Sequence, residues 1–456
     1  MAEITKKQFD YSTIFRATLY IDDDAVYVVD TYKGDGKVRF IQSFGGSFRD
    51  GKDDLNPLGV CASNTISLVI FDEDDLLSPD NNMSPYYGKL HSGTKIVMEA
   101  TEDGTTWESY GTYYLDSIQG AFSDAYNDTT SIFAHDVVNN ISVKQIPKLE
   151  TYTGTVGDLV VSVFSLIGLT SSDYYIDPKI NMSETWGIIG ANTVGEFLNS
   201  VCQKTFSRVV ADRDGRVCII PSLYERTDAN VLNINASETG TFTNKNNQAI
   251  DCDKIVVKYL TKKGNKHDTI ATLSNIILEP GENTVDNVTF IGKVLSVENV
   301  NLEYKNNDNS DITITDMNYE AYQDGMRLII DCNGEGTAEA SLDVKGIVAS
   351  TAYDEVEGVL GNYGSYRNDY VQEFKVDEII THEQAVAYTN SLIQYLNSVS
   401  RKIAMNDTCL TPKLFPGDRI NISGTDTMYD GNFRVTSVEM TISENYNLNL
   451  EMVRLV

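Results

Sequence analysis

The sequence predicts a mainly β protein with a few helices, built from several domains. The chain has 456 residues, which at roughly 100–200 residues per domain makes about three domains. Apolar and polar residues alternate with period two over many short runs, the pattern of strands with one buried face. Asp-Gly steps at Asp35-Gly36, Asp103-Gly104, Asp214-Gly215 and Asp430-Gly431 supply the positive φ angles that tight hairpin reversals require.

From the N-terminus, VVDTYKGDGKVRF, NTISLVIFDED and TKIVMEATEDGTTWESYGTYYLDSI read as strands and turns, so residues 1–147 are expected to be all-β. A small α+β unit follows at 148–236. Its first helix starts behind Thr155, with Asp158 three residues on, and stops at Gly168. Its second starts behind Thr193, with Glu196 completing a capping-box pattern. The hairpin RDGR closes the unit. Residues 237–270 return to strand character in DKIVVKYLTKKGNKHDTI, and 271–373 form another β-rich block with polar turns such as KNNDNSD. The stretch 374–456 opens with the longest helix, capped by Thr381 and carrying Val386, Leu392, Ile393 and Leu396 near helical spacing. Strands around RINISG, NFRVTSVEM and LNLEMVRL end it. No fixed repeat of 20–50 residues appears, which argues against a solenoid or propeller.

Charge narrows the function. Lys plus Arg number 36 and Asp plus Glu 66, a formal net charge of −30. Such a chain is repelled by phosphate backbones and anionic lipid, so sequence-reading nucleic-acid binding is disfavoured. The most apolar run, Leu159 to Leu169, is too short to cross a bilayer, and the N-terminus lacks the apolar core of a signal peptide. Six cysteines lie far apart without a C-x-x-C pair, which suits reduced thiols buried singly.

Catalytic signals are weak, and no catalytic, cofactor or metal residue is assigned. The stretch Gly46-SFRD-Gly51-Lys52 resembles a phosphate loop, but Asp53 stands where a Ser or Thr should hold magnesium, and Asp54 follows. Four histidines are scattered without a zinc spacing. The run Asp72, Glu73, Asp74 and Asp75 lacks the offsets of an EF-hand and reads as a charged loop that deters strand pairing. Tyr is abundant, at 26 residues, and Tyr86, Tyr87, Tyr110, Tyr113 and Tyr114 could stack on sugars or serve packing.

The order of segments says more than any motif. The run NTISLVIFDEDDLLSPDNNMSPYYGKLHSGTKIVMEATEDGTTWESYGTYYLDSI resembles the N-terminal part of bacteriophage tail-tip and baseplate hub proteins. TVGDLVVSVFSLIGL and NTVGEFLNSVCQKTFSRVVADRDGRVCIIPS are similar to that family's two-helix-plus-hairpin segment. DKIVVKY, the long helix, LFPGDRINISG and YDGNFRVTSVEMTI continue it in the family's order. Residues 271–373 match nothing in it and read as an inserted β-sandwich. The resemblance implies two tail-tube-like β-barrels, at 1–147 and at 237–270 plus 374–456. It also implies a non-enzymatic homotrimeric hub in the virion tail, assembled in the host bacterial cytoplasm. Implied partners are the tail-tube hexamer, the tape-measure protein and a spike, fibre or lysin at the tip; no cofactor is implied. Asp53, Asp54, Asp72, Glu73, Asp74 and Asp75 would lie on acidic loops at subunit contacts or along the lumen. Other readings are a carbohydrate-binding adhesin of a tail, on the Tyr-rich sheets, and a glycosidase using an acidic pair.

Overall fold

The computed structural model describes residues 13–22, 26–31, 39–49, 61–72, 74–121, 129–146, 153–180, 183–185, 193–222, 231–235, 241–244, 252–262, 268–292, 294–321, 325–360, 371–377, 381–406, 414–424, 429–442 and 446–455. The first unit holds β1 (Ile14–Tyr20), β2 (Val26–Asp30), β3 (Arg39–Arg49), β4 (Thr65–Asp72), β5 (Lys95–Thr101), β6 (Glu108–Ala121) and β7 (Thr129–Asp136). A helical unit follows: α1 (Val137–Ser142), β8 (Thr153–Thr155), α2 (Val156–Leu166), β9 (Tyr174–Ile176), β10 (Ser183–Thr185), α3 (Val194–Thr205), β11 (Ser207–Ala211) and β12 (Val217–Pro221). Next come β13 (Val231–Asn235), β14 (Thr241–Asn244), β15 (Lys254–Lys262), β16 (Asp268–Leu278), β17 (Gly281–Thr289), β18 (Val294–Asn306), β19 (Thr313–Ala321), β20 (Gly325–Asn333) and the 22-residue β21 (Ala338–Val359). The chain continues with β22 (Val371–Val376), α4 (His382–Ser398), β23 (Val399–Asn406), β24 (Arg419–Ser423), β25 (Gly431–Ile442) and β26 (Tyr446–Leu455). It is mainly β with few helices, as its alternation predicts.

One sheet runs through both ends of the chain, in the order β14-β23-β26-β25-β3-β4-β7-β6-β5-β1-β2, with β13 and β24 attached beside β25. The join is β3 against β25, where Phe48 faces Val438. Strand β4, TISLVIFD, shows how sequence sets the faces: Ile66, Leu68 and Ile70 are buried while Thr65, Ser67 and Val69 lie on the other side. Buried residues from both ends make a single core. At its centre the rings of Phe48, Tyr110 and Phe415 meet, Phe48 being 5.6 Å from Tyr110 and 5.3 Å from Phe415 between centroids.

The helical unit has its own core, made by Val156, Leu159, Val160, Val163 and Phe164 of α2 with Phe197, Leu198, Val201 and Cys202 of α3. Its caps are the ones the sequence spells. Thr155 Oγ1 accepts the Asp158 N–H, and Thr193 and Glu196 form the reciprocal capping box. Gly168 takes φ +86° just beyond α2. The short α1 has no such signal in its apolar spacing; its cap is Asp136, the last residue of β7.

Asp136 is almost fully buried. Its carboxylate accepts N–H groups from Asn64 at 2.8 Å, Val138 at 3.1 Å and Asn139 at 3.2 Å, and the Ser63 hydroxyl at 3.3 Å. Burial pushes its pKa up to about 6 against the pull of these donors. The folded state therefore binds this proton more tightly than the unfolded chain. The stabilisation is full below the unfolded carboxyl value and is lost as pH rises through about 6. Urea midpoints of the native chain and Asp136→Asn should diverge between pH 4 and pH 6, the native chain losing up to about 3 kcal/mol relative to the variant.

The hairpin of β11 and β12 reaches out of this unit. Gly215 at its tip has φ +80° and lies against Thr112 of β6, and the Ser109 hydroxyl donates to the Arg213 carbonyl at 2.5 Å. The Arg213 guanidinium pairs with Asp418 at 2.7 Å. One tight turn thus touches β6 of the first unit and the turn before β24 of the C-terminal strands.

Two further cores lie in the second half. Strands β16, β21 and β18 face β17, β20 and β19 across a sandwich core. Beyond it, β21 continues as partner of β15, whose other edge takes β22 in parallel, and α4 covers these strands. A Cβ on Gly358 would come 2.6 Å from Ile393 Cδ1 of α4, so the missing side chain sets how closely helix and strand pack. The strand DKIVVKY, grouped by sequence with the C-terminal strands, is bonded here to β21 and β22. The strands that do pair with the C-terminal set are β13 and β14, on β24 and β23.

Candidate functional site

The functional candidate that the fold presents is a surface. On the side of the long sheet away from the core, six strands (β26, β25, β3, β4, β7 and β6) curve around a groove of about 600 Å³. Strand register sets its wall. One row crosses the sheet as Asn449, Glu439, Ser47, Thr65, His135 and Tyr114; the next runs Asn447, Thr441, Gly45, Ser67, Phe133 and Ser117. The period of two makes these side chains the solvent face, apart from Tyr114, which packs on the helical unit's core, while their neighbours Phe44, Phe48, Ile66, Leu68, Val438 and Leu448 fill the core of the long sheet.

Small and polar residues dominate the wall. Gly45 lies close under Ser67: a Cβ there would come 2.5 Å from Ser67 Oγ, so that hydroxyl would have to rotate away. Two carboxylates, Asp116 and Glu439, line the groove, and among the described residues its lining contains no Lys or Arg. Arg49 lies 3.8 Å from Glu439 and is largely exposed. Burial lowers the His135 pKa, with Asp116 acting the other way. Nothing here forms a nucleophile with its base; His135 makes no hydrogen bond to a lining hydroxyl among the described residues. Among the described residues no three His, Cys, Asp or Glu side chains gather where a metal ion could sit. No helix among them is long and apolar enough to cross a membrane.

The acidic residues singled out by sequence lie elsewhere. Asp72 ends β4 at the far end from Thr65 and is buried. Its carboxylate accepts the Arg39 Nε–H at 3.1 Å and the Leu77 N–H at 3.0 Å. Arg39 also bonds to the exposed Asp74. Asp75 holds a left-handed backbone at φ 51° and gives its carbonyl to the Asn81 amide at 2.9 Å. These three organise the loop after β4. Asp53, Asp54 and Glu73 lie outside the described residues. The groove is not legible in the sequence, since its residues come from six separate strands; the one signal of it is the run of Ser, Thr and Gly on the polar face of β3 and β4. Tyr110 and Tyr113, candidates for sugar stacking, are buried in the core, where burial raises their pKa values.

No family model matches the chain, and no curated protein matches it. Solved structures do. A 43 kDa tail protein of prophage MuSo2 from Shewanella oneidensis aligns over 97% of this chain and 98% of its own, with TM-score 0.50 and 9% identity. A tail protein from Neisseria meningitidis MC58 aligns over 96% of each chain, with TM-score 0.50 and 8% identity. An Escherichia coli type VI secretion component, described as structurally similar to two bacteriophage T4 tail proteins, aligns over 93% of this chain and 76% of its own, with TM-score 0.43 and 9% identity. The near end-to-end match to the first two agrees with the resemblance carried by segment order: this chain has the fold of phage tail proteins.

Proposed function

We propose that the chain is a structural protein of a virion tail, the hub that joins the tail tube to the tip. The observation that carries this reading is the single sheet that passes from the first unit into the C-terminal strands and presents one curved polar wall. In the proposed assembly three copies form a ring. Each gives two tube-like barrels, one from β1 to β7 and one from β13, β14 and β23 to β26, so six barrels meet the six subunits of the tube. The helical unit clamps the pair, and the sandwich is an insertion beside β15 and α4.

Open edges support self-association. Among the described residues β14 ends the sheet, and β6 beyond Leu115, which is bonded to Gly93 and Thr94, pairs with β7 alone. Such backbone rows accept strands from another chain. The groove would then face the DNA exit path, where small hydroxyls and carboxylates repel phosphate and leave little to grip. Asp72, Asp74 and Asp75, away from the groove, belong in this proposal on an acidic loop at subunit contacts. The tape-measure protein and a spike, fibre or lysin are the remaining partners proposed.

Electron microscopy of tails tests the assembly: a three-fold ring at the tube terminus is expected, and a position remote from it would defeat the proposal. The wall has a separate test. Thr65→Arg with Thr441→Arg adds two cations at exposed positions. Folding should be unchanged, while DNA leaves assembled particles at least several-fold more slowly at low salt, recovering as salt rises. Equal release rates for both proteins would remove the groove from the DNA path.

A further inference from the structure

Cys61 lies just before β4, at the seam between the first unit and the helical unit. Its N–H donates to Asn199 Oδ1 on α3 at 3.1 Å. Its backbone also bridges Val209 of β11 in parallel register, and the Ala62 N–H donates to the Val209 carbonyl at 3.1 Å. These attachments press residue 61 against α3. Cys202 lies three residues beyond Asn199, on the same face of the helix, and is wholly buried in the core against which the half-buried Cys61 packs. The two thiols are therefore near neighbours, each in or against the same core. Other described cysteines are placed apart: Cys252 and Cys332 sit in two different cores, and Cys218 lies on β12 with its thiol 3.6 Å from Asp212.

We propose that Cys61 and Cys202 are a site of disulfide formation, closed by exchange with a low-molecular-weight disulfide, and that the bond staples the first unit to α3. The half-buried Cys61 reacts first. Its thiolate attacks one sulfur of the small disulfide, that S–S bond breaks, and one small thiolate leaves and takes up a proton. Cys61 is then a mixed disulfide. Cys202, deprotonated, attacks the Cys61 sulfur; the Cys61–Cys202 bond forms and the second small thiol leaves. Two protein thiols are oxidised and one small disulfide is reduced to two thiols.

The environment also sets the rate. The neighbouring Cys202 thiol, then burial, holds the Cys61 thiol well above its ordinary value, so the attacking thiolate is scarce at neutral pH. The structure therefore describes a pair that stays reduced under reducing conditions and closes slowly in an oxidising medium. The rate should rise about tenfold per pH unit from pH 7 to pH 9.

The test uses the full folded chain with oxidised glutathione, blocking of the remaining thiols with N-ethylmaleimide, and mass spectrometry of the digest. A peptide linking Cys61 to Cys202 is expected, with two fewer blocked thiols per chain and a thermal midpoint raised by several degrees. Cys61→Ser should abolish the linked peptide and the thermal shift, and Cys202→Ala should leave glutathione attached to Cys61. Three results would overturn the proposal: glutathione persisting on Cys61 in the unaltered chain, both thiols still unreacted at pH 9, or linkage that forms only after the protein is unfolded.

Discussion

Replacing Arg213 with Ala is expected to cost about 3–5 kcal/mol of stability, the usual penalty for stripping one partner from a buried ion pair. Asp418 is wholly buried. Its carboxylate takes the Arg213 guanidinium at 2.7 Å and the Phe415 N–H at 2.9 Å. The same guanidinium lies 5.6 Å from the centroid of the Phe415 ring, which adds packing to charge. Removal leaves a carboxylate in the interior without its cation. Urea unfolding at pH 7 measures the loss. The paired change Arg213→Met with Asp418→Leu should recover most of it, because apolar replacements of both partners are often neutral or better. A single substitution costing under about 1 kcal/mol, the range of a solvated surface pair, would show that the clamp is not closed in solution.

Phe48→Ala should be comparably severe, again about 3–5 kcal/mol, from lost burial plus the cavity left behind. Phe48 is fully buried, faces Val438 across the β3–β25 join, and packs edge-on to Tyr110. The ring packs directly on the Gly46 backbone, where a Cβ would fall 2.5 Å from Phe48, and glycine has no side chain to move into the gap. Because the core is shared, the damage should spread. Amide exchange ought to speed up on both sides of the join, at Ala17 and Leu19 as well as at Ile420 and Ile422. Calorimetry should still show these strands melting as one unit. Exchange that changes only on the first side would mean that the two ends fold independently.

Local chemistry made much of this fold readable. Thr155, Thr193 and Thr381 announce helices because a side-chain oxygen there satisfies an N–H that the helix leaves free. Strand β4 shows its two faces in eight residues. What could not be read is long-range partnering. Nothing near Phe48 indicates that its strand will pair with one near the C-terminus. Nothing in DKIVVKY names β21 over β26 as its neighbour, since both offers are apolar and alternating. Asp72 looked like part of a solvated acidic run because its partner, Arg39, lies on another strand. The RDGR tip announced a turn but gave no hint that its first arginine would bury a charge in a different unit. The groove was hidden for the same reason, being a property of six registers at once.

Strand β21 carries a mechanical implication. Its first half is woven into the sandwich and its second half into the layer beneath α4, with Gly346 and Gly358 pressed against Ser296 and Ile393 respectively. At about 3.3 Å per residue such a ribbon has a contour near 70 Å. Among the described residues β21 itself joins the two layers without a break, so a load applied to the sandwich is passed along that strand rather than dissipated by a swivel. It must be borne as shear along ladders of hydrogen bonds, and the insertion behaves as a stiff lever rooted beneath the longest helix.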